Sequence, residues 1–503
     1  MFLRNLDDAK GLFDSLKGTF AGVGMTAFSR IIPSYFINPY NIVSLRATRD
    51  LSLLRKKAAI FCLEHEKGKS FPEKSFNSAL LLAHPLTRHF LKGLPDPKHL
   101  LLYQNYPELE DLARKEGWHL LSNPSSLRVK VGQRSFFKRL AHELKLPLIP
   151  GDIHPVEVIH TRDYEHWERA LGSRFVAQLP EVVQGGGKGT FFINSPSEYV
   201  MLRERLKENA WRGAVLKSVS MHRFVEGIPV SMALCLTKHG LLLTGLQKQL
   251  IDLPYCRSLT EDGVFCGHVW DDIPWPLSVT QKARKQALII GEYLDSLGYK
   301  GILGIDFLID KWHEQVYPLE INPRFTGAFP MLSLLHLKDK VIPMEVFHIL
   351  EFLDVPYRVD VEELNAIYAG SVVGSHVLLF ILSLRNTNTI DLPSAGLYEY
   401  DPDKGKICFV KGAFDYREIK NKCQFIITDG PPVNCGEAFA SSDLLYRVCR
   451  LLFSYPVVDD DGVLEPHAHR AVDWAYKKMG ISPPGTGVME IINNKSQITN
   501  KFQ

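Results

Sequence analysis

None of the eight cysteines (Cys62, Cys235, Cys256, Cys266, Cys408, Cys423, Cys435 and Cys449) pairs with another at CxxC spacing. The chain therefore shows neither a zinc-finger nor a thioredoxin-like motif. Scattered thiols of this kind read as the reduced cysteines of a cytosolic protein. An excess of one charge is also missing: 59 Lys and Arg stand against 56 Asp and Glu, a net +3. So small a surplus gives no overall pull toward nucleic acid or an anionic membrane, and neither is expected as a partner. Long apolar runs are absent too. The stretch 377–382 falls far short of the ~20 residues that span a bilayer. At the N-terminus, Asp7 and Asp8 stand where a signal peptide would carry its apolar segment. The expected location is cytoplasmic, without an anchor. Repeats and low-complexity segments are lacking as well. What is present is an ordinary globular composition over 503 residues, enough chain for about three domains.

The first 120 or so residues alternate short buried strands, at 41–45, 59–63, 99–103 and 118–121, with helical pieces. Pro107 opens one helix and Gly117 closes it. Alternation of this kind predicts a small parallel α/β domain. Further helices are expected at 136–144, 163–171 and 280–298, a strand at 175–179, and a β-rich region at 215–260. Two strands, 302–309 and 315–321, follow the long helix. Beyond residue 351 come a connecting helix and a mixed α/β region with strands at 376–384, 395–400, 407–410 and 424–428. The expected domains are 1–122, 123–350 with a lid at about 150–220, a connecting segment at 351–370 and a C-terminal domain at 371–485, with a loose tail at 486–503.

The first chemical signal is Gln184-Gly185-Gly186-Gly187-Lys188-Gly189-Thr190. Glycines let backbone N–H groups turn toward an anion, and Lys188 adds a point charge. It is not a Walker loop, because Gly189 rather than Ser or Thr follows Lys188, and a strand rather than a helix comes next. Alone, it would read as a hairpin tip. Some 120 residues later stand Gly304-Ile305-Asp306-Phe307 and Glu320-Ile321-Asn322-Pro323-Arg324. Residues i and i+2 of a strand share a face, so Glu320 and Asn322 point one way and Leu319 and Ile321 the other. If the two strands pair, Asp306 falls nearly opposite Glu320. Two carboxylates and an amide oxygen suit Mg²⁺, which completes its shell with nucleotide phosphates. Arg324 is placed to hold a phosphate or a developing phosphoryl charge. The ordinary explanation for these residues is a solvated hairpin face with an Arg324–Glu320 ion pair; the glycine loop upstream argues against it.

With those motifs in view the sequence resembles the ATP-grasp superfamily, in the branch of biotin carboxylase, carbamoyl-phosphate synthase and amino-acid ligases. The resemblance runs from about residue 100 into the C-terminal region. It implies an α/β domain before the ATP-grasp module, two α+β subdomains gripping ATP, and a mixed α/β C-terminal domain. Carried over, it makes Asp306, Glu320 and Asn322 the metal site, for Mg²⁺ (two ions, with Mn²⁺ a substitute). Gly185, Gly186, Gly187, Lys188 and Gly189 become the lid loop, and Arg324 and Lys188 the catalytic cations. His222-Arg223-Phe224-Val225 match the hinge whose backbone pairs with adenine. Asn123-Pro124 and the helix with Phe137-Lys138 match the entry to the module. Several positions depart from the family: Gln178 and Arg134 stand where lysines are usual, His222 replaces the hinge glutamate, and Pro229 lies where an acid near the ribose is expected.

The implied activity is ATP-dependent ligation of a carboxylate to an amine through an acyl phosphate, releasing ADP and phosphate, with small-molecule substrates and a homodimer by family analogy. Biotin carboxylation and carbamoyl-phosphate synthesis are disfavoured, because no Ala-Met-Lys-Met biotin site, glutaminase domain or duplicated half is present. An amino-acid or peptide ligase remains. The competing class is a noncatalytic ATP-binding regulatory protein of the same fold, which the departures at Gln178 and His222 favour and the Asp306, Glu320, Asn322 and Arg324 set opposes. Gln247 and Gln249 read either as acceptor-pocket residues or as exposed strand polars, the second being the better reading. Gly22-Val23-Gly24 reads as a structural turn, 459–462 as an acidic turn, and His467 and His469 as surface residues at strand spacing.

Overall fold

The computed structural model describes residues 1–69, 71, 77–182, 189–211, 213–256, 263–272, 274–381, 392–433, 446–459 and 462–480. Its first unit is a parallel sheet of five strands: β1 (Thr19–Gly24), β2 (Tyr40–Ser44), β3 (Ala59–Cys62), β4 (Lys98–Leu102) and β5 (Trp118–Leu121). Their order is β3-β2-β1-β4-β5. Every residue of β1, β2 and β4 is buried, as expected for parallel strands covered on both faces. Helix Pro107–Glu116 starts with proline at its first turn, carries Glu108 and Glu110 there, and ends on Gly117 at φ 69°. Gly22-Val23-Gly24, expected as a turn, lies instead inside β1, flanked by β2 and β4.

The second unit is a four-stranded antiparallel sheet. It comprises β6 (Gly151–Pro155), β7 (Phe175–Gln178), β8 (Thr190–Ile193) and, after a short hairpin of β9 (Ala210–Trp211) and β10 (Ala214–Val215), β11 (Ser218–Arg223). The order is β6-β11-β7-β8.

The rest of the chain builds one large antiparallel sheet. Its first strands are β12 (Gly227–Thr237), β13 (Gly240–Leu243), β14 (Gln247–Ile251), β15 (Phe265–Trp270), β16 (Gly301–Asp310) and β17 (Val316–Asn322). The C-terminal region adds β18 (Gly374–Ile381), β19 (Gly396–Asp401), β20 (Lys406–Lys411), β21 (Gln424–Thr428) and β22 (Tyr446–Phe453). The order is β17-β16-β12-β14-β15-β18-β22-β21-β19-β20, with β13 paired to β12. The border expected between 350 and 371 thus falls within one continuous sheet, where β15 pairs with β18. Helix Leu277–Ser296 lies against this sheet. Its buried Val279, Ala283, Gln286, Ala287, Ile290 and Leu294 recur at three- and four-residue steps, and Gly298 follows at φ 77°. His467 and His469 stand in the first turn of helix Pro466–Met479, not at strand spacing. No helix among the described residues is long and apolar enough to cross a membrane. The tail at 486–503 lies outside the described residues.

A buried polar seam docks the N-terminal sheet onto the C-terminal strands. Thr26 Oγ1 donates to Asp429 Oδ1 at 2.5 Å. Asp50 Oδ2 accepts from Thr428 Oγ1 at 2.9 Å and from the Asp429 N–H at 2.7 Å. Burial, aggravated by the nearby Asp429 charge, pushes the Asp50 carboxyl up to about 6. The folded state therefore holds that proton more tightly than the unfolded chain. Stability from this group is greatest below the unfolded value near 4 and falls as pH rises through about 6. The loss is on the order of 3 kcal/mol for a shift of about two units. Asp50→Asn keeps an oxygen for the two donors and removes the ionisation. Its denaturant-unfolding free energy is expected to be nearly flat over that pH range and to exceed the parent's at pH 8.

Candidate active site

The hairpin of β16 and β17 pairs Asp306 directly with Glu320. A bulge follows, with Phe307 opposite Pro318, so Leu319 is extruded and 37% exposed. That is why the expected apolar face is only half built: Ile321 is buried and Leu319 is not. Asn322 Nδ2 donates to Asp306 Oδ2 at 2.9 Å and to Glu320 Oε1 at 3.4 Å. Its Oδ1 accepts from Arg324 Nη2 at 3.1 Å. Gln249 Nε2 donates to Asp306 Oδ1 at 3.0 Å. Asp306 keeps some solvent contact, yet desolvation and the facing Glu320 push its carboxyl well above the ordinary range.

These donors fit a hard divalent cation. Two facing carboxylates repel unless a proton, a donor or a cation comes between them, and here the neutral Asn322 amide donates to both. Turning that amide would present its oxygen instead. Among the described residues no three His, Cys, Asp or Glu side chains converge as a metal site, so the shell must be completed by ligand oxygens, as is usual for Mg²⁺.

Arg134, at the start of helix Arg134–Glu143, ties this hairpin to the smaller sheet. Its Nη1 donates to Gln178 Oε1 at 2.5 Å, and its Nη2 lies 3.6 Å from Glu320 Oε2. Gln178 pairs with Ser220 and Val176 with His222, which puts Gln178, Ser220 and His222 on one face. Burial, together with Lys138, pushes the His222 imidazole down to about 4, so it is neutral at pH 7. In the hinge, the Arg223 and Phe224 N–H groups are taken by Pro150 and Arg174 carbonyls. Val225, the last residue of the expected hinge, has no backbone N–H partner among the described residues. The Asn123 side chain is bonded both ways to the Lys300 backbone, at 2.7 and 3.1 Å, and so anchors the entry to the module on β16. Gly189 closes the base of the glycine loop at φ 94°, its carbonyl accepting from the Leu179 N–H. Gly185, Gly186, Gly187 and Lys188 lie outside the described residues.

Several neighbours of this site were not legible in the sequence. Tyr103, just past β4, accepts from Arg324 Nη1 at 2.8 Å. Gln247 and Gln249 are not exposed polars: Gln247 is 1% exposed and Gln249 half-buried. The paired registers place Glu320, Asp306, Ser231, Gln247, Gln249, His268, His376 and Arg450 on one face of the large sheet. Ser231, Gln247, His268, His376 and Arg450 form a hydrogen-bonded row. A guanidinium only donates, so Arg450 Nη1 fixes His376 Nδ1 as an acceptor. His376 Nε2–H then donates to His268 Nδ1 at 3.1 Å, and His268 Nε2–H to Ser231 Oγ at 3.4 Å. Gln247 Nε2 donates to the same hydroxyl at 2.9 Å. Burial holds both histidines neutral, pushing His268 down to about 3. The one sequence clue was Gln247 and Gln249 standing two apart on β14, which has meaning only once the strands are aligned.

Comparison with known proteins defines the class. Residues 192–328 match the sequence model of the ATP-grasp domain. A curated relative, the butirosin acyl-carrier protein–L-glutamate ligase of Niallia circulans, is 24% identical over 238 residues, which are 47% of this chain and 51% of that protein. The chain thus spans about half the length of the curated relative it matches. Among solved structures, biotin carboxylase of Campylobacter jejuni superposes with a TM-score of 0.55 at 10% identity, covering 88% of each chain. The MgADP- and bicarbonate-bound biotin carboxylase domain of Hydrogenobacter thermophilus 2-oxoglutarate carboxylase gives 0.53 at 12%, covering 88% of this chain and 87% of that one. N5-carboxyaminoimidazole synthase of Aspergillus clavatus gives 0.51 at 11%, over 91% and 99%. The chain has the ATP-grasp fold, and residues 192–328 are similar to the ATP-grasp domain.

Proposed function

We propose that this protein is an ATP-dependent ligase that joins a small-molecule carboxylate to an amine. The observation that carries the reading is the in-register Asp306–Glu320 pair, with Asn322 and Arg324 beside it and Arg134 linking Glu320 to Gln178 of the smaller sheet. The relative's ligation of L-glutamate supports an amino-acid or peptide ligase. Asp306, Glu320 and Asn322 would hold Mg²⁺, which when bound neutralises phosphate oxygens and so lowers the barrier to phosphoryl transfer. Arg134 and Arg324 supply the side-chain cations around the phosphates that the family usually takes in part from lysine. The glycine loop with Lys188 would close over them and keep water from the acyl phosphate. In the first step a carboxylate oxygen attacks the terminal phosphorus of ATP and ADP leaves. In the second, an amine attacks the acyl carbon, the C–N bond forms, the nitrogen gives up a proton to solvent or to the departing phosphate, and phosphate leaves with the bonding electrons. No side-chain nucleophile is required; the residues position and neutralise.

The test is ADP release from purified protein with ATP and Mg²⁺, challenged with amino acids, short peptides and small carboxylic acids. ADP is expected only with a particular acid–amine pair, and to disappear in Glu320→Gln. ATP binding without ADP release from any pool would instead assign a regulatory role.

A further inference from the structure

Arg30 is a buried cation whose Nε has no hydrogen-bond partner among the described residues. It is 4% exposed, and its side chain forms no hydrogen bond or ion pair among the described residues. Burying an unpaired guanidinium is costly unless something else answers its charge. The acids within electrostatic reach are already engaged. Glu345 takes the Ser333 hydroxyl with both oxygens, at 2.8 Å each. Asp429 takes Thr26, Arg447 and Arg450.

The seat of Arg30 is built for it. Gly22 and Gly24 share one face of β1, and a Cβ on either would come within 3.0 Å of the Arg30 side chain. The Arg30 guanidinium lies 5.0 Å from the Tyr103 ring centroid and 5.5 Å from that of Phe325. Arg324 lies 5.3 Å from the same Tyr103 ring. Two guanidiniums thus share one aromatic ring, and neither has a carboxylate partner among the described residues. The position is also telling. Arg30 follows β1 and Tyr103 follows β4, and in the order β3-β2-β1-β4-β5 these two strands form the switch point of the sheet. Crevices at the carboxyl ends of such strand pairs are where open α/β sheets hold ligands.

We propose that Arg30, which shares the Tyr103 ring with Arg324, binds an anionic group, carboxylate or phosphate, carried by a substrate lodged at the β1–β4 switch point. This rests on the ligase reading for the presence of a substrate there, and concerns a part of that substrate that does not react. It would select substrates bearing a second negative charge over their neutral counterparts.

Calorimetric titration of the full chain tests it, using wild type, Arg30→Met and Arg30→Lys with L-glutamate, L-glutamine, inorganic phosphate and MgATP. At least one anion is expected to bind wild type, with L-glutamate preferred over L-glutamine if the group is a carboxylate, and inorganic phosphate binding if it is a phosphate. Arg30→Met should weaken that binding at least tenfold while leaving MgATP affinity unchanged. Arg30→Lys keeps the charge but loses the bidentate fork, and should weaken it several-fold; it decides the matter if Arg30→Met does not fold. Failure of wild type to bind either anion, or equal binding by the variants, overturns the proposal. Failure of wild type to bind MgATP overturns the ligase reading instead, so the two outcomes are separable.

Discussion

Asp306→Asn is expected to lower ADP release by roughly 10³-fold, the scale on which removing one group that answers developing charge acts. The same variant should melt higher than the parent without metal. The reason is the register: Asp306 faces Glu320 with only the Asn322 amide nitrogen between them. Neutralising one of two facing carboxylates removes repulsion and a desolvated charge. Asparagine keeps the volume and can still accept from Gln249, whose amide donates to Asp306 Oδ1. Added Mg²⁺ should then raise the melting temperature of the parent and leave that of the variant nearly unmoved. Paired thermal melts with and without Mg²⁺, alongside the ADP assay, make the check. A variant that retains activity, or that still gains stability from Mg²⁺, would remove Asp306 from the metal site.

Much of this arrangement could be read from the residues because it depends on local periodicity. Asp306 and Glu320 are separated by one hairpin, so strand alternation brings them close, and the bulge at Leu319 sets them in register. Leu319 defeated the same logic, since a single-residue bulge, which sequence does not announce, turned it outward. The parallel sheet was legible from buried strands alternating with capped helices. Gly22-Val23-Gly24 was misread because glycine marks turns far more often than it marks a central strand. Its glycines answer to a partner, Arg30, that follows β1 in sequence but lies against its face in space.

Long-range polar contacts were beyond reach for a different reason. His268 and His376 are separated by 108 positions, and Thr26 and Asp429 by 403. Neither neighbourhood gives a local pattern. Only the sheet order β14-β15-β18-β22 brings Gln247, Gln249, His268, His376 and Arg450 into a row. The same order explains why a domain border drawn at a connecting helix does not divide the core. The C-terminal strands prolong the sheet that carries the metal-site candidates.

That continuity makes Asp429 the position where a substitution should damage the fold most. Asp429 is 2% exposed and Arg450 1%, with Arg450 nitrogens 3.3 Å from Asp429 Oδ2 and Arg447 Nη2 at the same distance. The paired guanidiniums hold the Asp429 carboxyl below its ordinary range despite its burial. Asp429→Leu strands the buried Arg450 charge and deprives the Thr26 hydroxyl of its acceptor. The expected loss is about 3–5 kcal/mol, the range for breaking one side of a buried pair. Arg450→Met alone should lose less, because Arg447 and Thr26 still answer Asp429. The double variant should lose less than the sum of the two, since an apolar pair leaves no uncompensated charge. Urea unfolding of the four proteins at pH 7 closes the cycle. Because Arg450 also orients His376, and through it His268 and Ser231, the double variant tests a second consequence. If the row aligns Ser231 beside Asp306, the double variant should recover stability without recovering the parent's rate of ADP release. Recovery of both would show that the row braces the sheet and nothing more.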